Sequence, residues 1–193
     1  MPNLYIIAGC NGTGKTTASY TVLPEILGCK EFVNADEIAK GLSPFQPEKV
    51  AIQAGRIMLQ RIDELLKLEE DFAFETTLTT RSYQQTIKFA KEKGYTVTLV
   101  FFWLNDVNLA IERVKARVAE GGHDIPEETI IRRYKKGLRN LVNIFIDISD
   151  YWLVVDNTQN PFQLIAQGDF KNNTKVYQQQ TWDKIKLRTN ATG

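Results

Sequence analysis

The chain has 193 residues and a formal net charge of +1, because 24 lysines and arginines nearly balance 23 aspartates and glutamates. This length predicts one domain that can bury a sizeable core without a disulfide or a structural metal. The near-neutral charge argues against a protein dedicated to nucleic acid or to a membrane surface, although a local basic patch is still allowed. Two cysteines and one histidine are too few for a zinc site, a redox motif or a disulfide framework.

The N-terminal apolar run, residues 4–9, has the length of a strand and not of a signal peptide. Elsewhere, no apolar run approaches the roughly 20 residues that a membrane span needs. From these features we expect a cytoplasmic protein without a membrane partner.

Short apolar runs alternate with longer amphipathic stretches along the chain. Five runs predict strands, at residues 4–9, 31–36, 71–77, 95–104 and 151–156. The stretches between them predict helices, at residues 14–27, 48–68, 81–93, 106–120 and 123–148. Alternation of this kind predicts an α/β fold with a five-stranded, mainly parallel sheet that is covered on both faces.

The C-terminal part of the chain shows weaker patterns. Residues 162–179 predict a hairpin that turns at Asn172 and Asn173, and the polar tail over residues 184–193 is expected to fray. Residues 160–193 are therefore interpreted as a C-terminal extension. The whole chain, residues 1–193, is expected to form a single domain.

The sharpest motif is GCNGTGKTT at residues 9–17, which follows a predicted strand and opens a predicted helix. It fits the phosphate-loop pattern G-x-x-x-x-G-K-[ST], in which glycines let several backbone N–H groups point inward at a phosphate chain. The pattern predicts that Lys15 reaches the outer phosphates of ATP and that the hydroxyl of Thr16 binds Mg²⁺. The expected nucleotide contacts are Gly9, Asn11, Gly12, Thr13, Gly14, Lys15, Thr16 and Thr17.

Acidic residues follow three of the predicted strands, where the chemistry of an open parallel sheet gathers. Asp36 in NADEIAKGLSPF is the candidate general base for an acceptor hydroxyl. Its alternative role is to cap a short helix, and the neighbouring Glu37 could cap as well. Glu75 in FAFETT is the candidate metal-supporting acid, and its alternative is an ordinary polar strand end. Asp106 fits a helix N-cap and is not assigned to the site.

Eight basic residues between positions 113 and 139 predict a helical lid over the phosphates. They are Arg113, Lys115, Arg117, Arg132, Arg133, Lys135, Lys136 and Arg139. Arginines on either side of the GGHDIP break could close over the transferring phosphoryl group, since their planar donors suit its developing charge. The alternative is a solvated face that nearby glutamates balance. His123 is expected to shape the turn and not to act in catalysis.

Six ordered segments resemble the short, stand-alone members of the zeta-toxin family of phosphate-loop kinases. They are GCNGTGKTT, NADEIAKGLSPF, FAFETTL, ERVKARV, GGHDIP and RRY, and the likeness runs from about residue 3 to residue 156. The resemblance implies a three-layer P-loop NTPase fold of the nucleotide-kinase type, with ATP and Mg²⁺ as cofactors. It also implies an antitoxin protein as a partner.

By position, the resemblance implies roles for individual residues. Lys15 and Thr16 match the nucleotide-binding lysine and the Mg²⁺-binding hydroxyl, Asp36 matches the general base, and Glu75 matches the acid on the third strand. Arg117 and Arg133 match the arginines that clamp the phosphate, with Arg113 and Arg132 as adjacent candidates.

For function, the resemblance implies transfer of a phosphoryl group from ATP to a hydroxyl, which in zeta toxins belongs to the amino sugar of UDP-N-acetylglucosamine. One alternative is a kinase for another metabolite or an antibiotic, and a second is a nucleotide-binding regulatory module that hydrolyses ATP slowly. A third is a kinase for nucleic-acid ends. The near-neutral charge and the lack of interleaved aromatic residues over 113–139 argue against that third alternative.

Overall fold

In the computed structural model of the chain, residues 1–122, 124–171 and 173–190 are described. Two expectations therefore lie outside the described residues, namely the role of His123 in its turn and the role of Asn172 in the C-terminal hairpin. The end of the polar tail, residues 191–193, lies outside them as well.

Within the described residues, seven strands form one sheet in the order β2-β3-β1-β4-β5-β6-β7. They are β1 (Asn3–Ala8), β2 (Glu31–Val33), β3 (Phe72–Thr76), β4 (Thr96–Trp103), β5 (Tyr151–Asp156), β6 (Gln163–Asp169) and β7 (Thr174–Val176). The first five strands pair in parallel, whereas β6 and β7 are each antiparallel to the preceding strand. The α/β class and the mainly parallel sheet are confirmed, but the expected strand number of five is wrong.

The two additional strands come from the predicted C-terminal hairpin, which extends the sheet. β6 pairs with β5 from one end of that strand to the other, and its residues Ile165 and Ala166 are fully buried. Gly168 permits a close approach, because a Cβ there would lie 2.6 Å from the indole ring of Trp152. A hairpin pattern predicts two paired strands, but it does not show which third strand they join.

Eight α-helices accompany the sheet in the described part of the chain. They are α1 (Lys15–Thr21), α2 (Ala35–Leu42), α3 (Ala51–Leu68), α4 (Tyr83–Glu92), α5 (Val107–Ala119), α6 (Glu127–Asn140), α7 (Ile146–Ile148) and α8 (Gln179–Asn190). A π-helical turn over Val22–Ile26 follows α1 and contains Pro24, whose ring and missing N–H disfavour a regular α-helix. Asp106 caps α5 as expected, since its carboxylate accepts a hydrogen bond from the N–H of Asn108.

The polar tail is more regular than the sequence predicts. α8 runs from Gln179 to Asn190, so the expected fraying from residue 184 onward is wrong for the described residues. Trp182 stacks on Trp152 with their ring centroids 5.5 Å apart, and Ile185 is fully buried. These two apolar side chains are three residues apart on α8, so they share the helix face that packs on the core. No helix in the described ranges is both long enough and apolar enough to cross a membrane.

The parallel pairing determines which segments meet at the carboxyl edge of the sheet. β1 lies between β3 and β4, with Ala8 opposite Thr76 on one side and Phe101 on the other. The segment after β1 and the segment after β3 therefore leave the sheet side by side. β2 is parallel to β3, so the start of α2 reaches the same edge.

Candidate phosphate-loop active site

The segment after β1 folds into a tight loop that has glycine at each position of positive φ. The φ angle is 140° at Gly9, 80° at Gly12 and 82° at Gly14. A Cβ at Gly9 would lie 2.4 Å from the carbonyl oxygen of Phe102, and one at Gly12 would lie 2.4 Å from that of Ala110. Only glycine satisfies both the conformation and the space, because the loop is wedged against the end of β4 and against α5.

Lys15 is the first residue of α1, and its side chain turns back into the loop. Its ammonium donates a hydrogen bond to the carbonyl oxygen of Cys10 at 2.9 Å and lies 3.4 Å from Oε1 of Glu75. The side chain of Lys15 is only 5% exposed. A buried ammonium needs such partners, because an unpaired charge is costly to remove from water.

The carboxylate of Glu75 is the centre of this cluster. Its Oε2 accepts a hydrogen bond from the hydroxyl of Thr16 at 2.7 Å and another from Nδ2 of Asn34 at 3.0 Å. With the ammonium of Lys15 beside Oε1, three donors from the segments after β1 and β2 converge on one carboxylate of β3. The structure thus brings together Lys15, Thr16 and Glu75, as the sequence patterns predict.

The oxygens of Thr16 and Glu75 fit the requirements of Mg²⁺. This ion prefers oxygen ligands, and it usually takes one or two carboxylates together with phosphate oxygens and waters. Among the described residues, no group of three or more acidic, histidine or cysteine side chains is arranged to hold a metal. The donor set therefore suits a metal that arrives with a nucleotide better than a metal enclosed by protein ligands alone.

Asn34 is a residue of the cluster that the sequence patterns did not single out. Its Oδ1 accepts hydrogen bonds from the N–H groups of Asp36 at 2.8 Å and Glu37 at 3.4 Å, so Asn34 is the N-cap of α2. Its Nδ2 is then free to donate to Glu75. A signal was available, because an asparagine followed three residues later by a glutamate is typical of a helix start.

Asp36 lies in the first turn of α2, with its side chain exposed. The capping alternative for Asp36 and Glu37 is wrong, because Asn34 occupies that position. β2 ends at Val33 and not at the expected Asp36, because Asn34 is the N-cap of α2 and the helix begins at Ala35. A carboxylate in a first turn is favoured by the positive end of the helix dipole.

The two predicted clamp arginines lie in different surroundings. Arg133 on α6 donates a hydrogen bond from Nη1 to Oδ1 of Asn11 at 2.8 Å, and this bond ties α6 to the phosphate loop. Burial lowers the pKa of Arg133, while the nearby negative charge of Asp36 acts in the opposite direction. Arg117 is an exposed residue near the end of α5, and Arg133 is the one shown in contact with the loop.

Arg113, an adjacent candidate for the clamp, binds the segment after β5. Its guanidinium donates to the carbonyl oxygens of Asn157 at 2.9 Å and Thr158 at 3.0 Å. Asn157 in turn donates from Nδ2 to the carbonyl oxygen of Thr13 at 2.7 Å. Arg113 therefore holds the segment after β5 against the phosphate loop. No sequence pattern points to Asn157, because a single asparagine after a strand forms no recognisable motif.

The remaining loop positions are partly enclosed. Asn11 and Thr13 are buried, whereas Thr17 is exposed at the start of α1. Burial raises the pKa of the Cys10 thiol to about 11. At neutral pH this thiol is uncharged, so it adds no negative charge that would repel a phosphate.

Several solved structures share this fold. The crystal structure of AvrRxo1-ORF1:AvrRxo1-ORF2 with sulphate ions matches with a TM-score of 0.78 and 16% identity, covering 100% of this chain and 66% of that chain. The same pair with ATP matches with a TM-score of 0.75, 17% identity and the same coverage. The PezAT chromosomal toxin-antitoxin system of Streptococcus pneumoniae matches with a TM-score of 0.68 and 18% identity, covering 98% of this chain and 86% of that chain.

These likenesses show the P-loop kinase fold, and the chain spans about two thirds of the AvrRxo1 chain that it matches. At the level of sequence, an uncharacterized protein of Haemophilus influenzae is 34% identical over 126 residues, which cover 65% of this chain and 88% of that protein. The family model for Zeta toxin matches residues 1–160. Because that match includes most of the 193 residues of this chain, the chain belongs to the Zeta toxin family.

Proposed function

We propose that the protein is a kinase that transfers the γ-phosphoryl group of ATP to a hydroxyl group of a small molecule. The observation that carries this proposal is the convergence of Lys15 and Thr16 on Glu75 at the mouth of the phosphate loop. A lysine, a hydroxyl and a carboxylate in this arrangement can hold the phosphates of a nucleotide and their metal. The solved AvrRxo1 pair with ATP supports a nucleotide in a related fold.

The phosphate loop would bind ATP through its backbone N–H groups, with contacts from Gly9, Asn11, Gly12, Thr13, Gly14, Lys15, Thr16 and Thr17. Lys15 would exchange the carbonyl of Cys10 for the outer phosphates. The ammonium would keep oxygen partners in this exchange, because phosphate oxygens would replace the carbonyl oxygen of Cys10. Asn157 would help to keep the loop in shape through its hydrogen bond to Thr13.

Thr16 and Glu75 would hold Mg²⁺, and Asn34 would fix the orientation of the carboxylate. When bound, Mg²⁺ neutralises charge on the phosphates and aligns them for an in-line displacement. The ammonium of Lys15 would supply the second positive charge that the phosphates need.

Asp36 is the proposed general base. The acceptor oxygen would attack the γ-phosphorus, and a new O–P bond would form as the bond from that phosphorus to the bridging oxygen of ADP breaks. The acceptor proton would pass to the Asp36 carboxylate, which is exposed to solvent at the start of α2. Arg133 beside the loop, and Arg117 from α5, would neutralise the transferring group as parts of a helical lid over residues 113–139.

Family membership makes UDP-N-acetylglucosamine one acceptor to test, and other hydroxylated metabolites and antibiotics are the alternatives. An antitoxin protein is the proposed partner, which the PezAT toxin-antitoxin neighbour supports. The cytoplasm, where ATP is available, is the proposed location.

The proposal can be tested by an ATP turnover screen against UDP-sugars, small hydroxylated metabolites and antibiotics, with mass detection of the product. We expect ADP to form only when an acceptor is present, and the acceptor to gain one phosphoryl group. Lys15→Ala should remove both signals. Slow ATP hydrolysis that no acceptor accelerates would contradict the kinase and favour a regulatory module.

A further inference from the structure

A second polar pocket lies between the segment after β3 and one face of α6. It has a volume of about 530 Å³ and is lined by Thr79, Thr80, Arg81, Arg132, Lys136 and Arg139. The lining has four cations and no acidic residue. In the described ranges of the chain, none of these four cations forms an ion pair. We call this cavity the basic pocket.

One wall of the basic pocket is formed by three cations of α6. Arg132, Lys136 and Arg139 share one face of α6, because residues three and four apart are neighbours on a helix. The Nε of Arg139 is buried and has no hydrogen-bond partner within the described residues. Like charges on one wall repel each other. This repulsion suits a ligand that brings several negative oxygens.

Packing holds the two walls of the basic pocket together. A Cβ at Gly137 would lie 2.7 Å from the carbonyl oxygen of Thr77, so α6 touches the segment after β3 at this point. The buried Asn140 donates a hydrogen bond to the carbonyl oxygen of Leu78 at 2.7 Å. These contacts fix α6 against the segment that supplies Thr79, Thr80 and Arg81.

The basic pocket is adjacent to the phosphate-loop cluster. The segment over residues 77–81 follows directly after Glu75 and Thr76 of β3. On the other wall, Arg132 precedes Arg133, whose side chain binds Asn11 in the loop. Arg132 and Arg139 are about 10 Å apart along the helix axis, since each residue adds about 1.5 Å. Both walls of the basic pocket therefore belong to elements that also carry residues of the phosphate-loop site.

We propose that the basic pocket binds a terminal phosphate group of the acceptor, so that the acceptor is a small phosphorylated sugar or polyol with a free hydroxyl. This inference rests on the proposed kinase function and narrows its substrate class. A phosphomonoester carries nearly two negative charges at neutral pH and offers three acceptor oxygens. Arginine forks bind such a group in bidentate fashion, and threonine hydroxyls can donate as well.

The composition of the lining favours a phosphomonoester over a larger nucleotide. No aromatic or apolar side chain lines the basic pocket, so a nucleobase would find only guanidinium groups on which to stack. The nucleoside end of a UDP-sugar, or a base of an oligonucleotide, would occupy cations that suit phosphate oxygens better. A compact dianion would have cations on both walls of the pocket.

Binding to the basic pocket can be tested without turnover. Inorganic phosphate and pyrophosphate would be titrated by calorimetry into Lys15→Ala, which lacks the lysine of the phosphate loop. We expect pyrophosphate to bind this variant, and to bind about tenfold more weakly when Lys136→Gln or Arg139→Gln is added, the effect of one lost charge-assisted contact. Lys136 is exposed, so its replacement should not prevent folding.

The matched control is Lys30→Gln in the same Lys15→Ala background. Lys30 is exposed and precedes the first residue of β2, at the edge of the sheet opposite the carboxyl ends. The control should leave pyrophosphate binding unchanged. Equal weakening by Lys30→Gln and Lys136→Gln, or no weakening by Lys136→Gln and Arg139→Gln, would overturn the pocket.

The acceptor class requires a second measurement, on pairs of compounds that differ only in a terminal phosphate, such as glycerol and glycerol phosphate. We expect kcat/KM to be at least about tenfold higher for a phosphorylated member, and Lys136→Gln to raise its KM more than it lowers kcat. A preference for UDP-N-acetylglucosamine or an oligonucleotide end would overturn the phosphomonoester class and leave the kinase standing. No acceptor-dependent ATP consumption would overturn the kinase and the acceptor class together, even if pyrophosphate binds.

Discussion

The phosphate loop and the basic pocket are neighbouring cationic sites, but they differ in how their charges are paired. The ammonium of Lys15 is buried and already held by the carbonyl of Cys10 and the carboxylate of Glu75. The basic pocket is lined by four cations and by no acidic residue. The first site is therefore assembled by the chain itself, whereas the second obtains its counter-charge only from a ligand. Breaking the first site should consequently lower both activity and stability, whereas breaking the second should weaken acceptor binding and leave stability constant or slightly higher.

Lys15→Ala should have the largest effect on activity. The variant loses the charge that is proposed to hold the outer phosphates, so ATP turnover should fall to background. It also deprives the partly buried Glu75 of one partner, which should cost on the order of 1–3 kcal/mol of stability although Thr16 and Asn34 still donate to it. Turnover and thermal unfolding would be measured beside Lys30→Ala, an exposed lysine far from the loop. Normal turnover in Lys15→Ala would remove the nucleotide assignment.

Asp36→Asn separates catalysis from structure. If Asp36 takes the acceptor proton, the substitution should lower kcat by about 10²–10⁴-fold. The melting temperature should hardly move, because Asn34 and not Asp36 caps α2. Glu37→Gln makes the same chemical change one residue later and should keep most of the activity. If Asp36→Asn is fully active, Asp36 is not the base.

Arg133→Ala should lower kcat more than it weakens ATP binding, because its proposed partner is charge that develops in the transition state. Arginines of this kind contribute about 10³–10⁵-fold in other phosphate-loop enzymes. Arg117→Ala should act in the same direction, and Arg133 is the residue shown in contact with the loop. Single-turnover rates and ATP affinities would be compared for both variants. Near-normal rates in both would remove these arginines from the proposed mechanism.

Asn34 can be tested with a pair of substitutions that separate its two contacts. Asn34→Ala loses the helix cap and the bond to Glu75, and it should cost about 1 kcal/mol of stability through the cap alone. Asn34→Ser should restore the cap but not the bond to Glu75. We therefore expect the serine variant to regain stability and still to need more Mg²⁺ for half-maximal turnover. Equal Mg²⁺ dependence in wild type and Asn34→Ser would show that Asn34 serves only the helix.

The smallest effect is expected from the basic pocket when stability alone is measured. Lys136→Gln removes one of several like charges, so the melting temperature at low salt should stay constant or rise slightly. Lys91→Gln is the contrasting variant, because Lys91 lies 2.8 Å from the carboxylate of Asp150 and its loss should lower the melting temperature. A clear loss of stability in Lys136→Gln would mean that the chain itself pairs this lysine.

The parallel sheet and the phosphate loop could be predicted because their signals are local. A strand, a glycine-rich turn, Lys15 and the start of a helix follow one another within residues 3–21. The strand predicted at 151–156 agrees with β5 for the same reason, since a buried strand of a parallel sheet is a continuous apolar run.

The contacts that complete the site join distant segments, and local patterns do not show them. Asn34 and Glu75 are 41 residues apart, and Asn11 and Arg133 are 122 residues apart. The basic residues over 113–139 do not all reach one site, because successive side chains on a helix point about 100° apart. Arg132 can therefore line the basic pocket while Arg133 reaches the phosphate loop.

The central claim is that the γ-phosphoryl group moves to an organic hydroxyl, and its fate can be followed directly. ATP with isotopically labelled γ-phosphoryl oxygens would be incubated with Mg²⁺, the protein and a mixture of hydroxylated and phosphorylated metabolites, and the products separated by mass spectrometry. The account predicts that the label appears in an organic phosphate ester, and that Lys15→Ala and Asp36→Asn each suppress it. Label found only in inorganic phosphate, at a rate that the metabolites do not change, would contradict it.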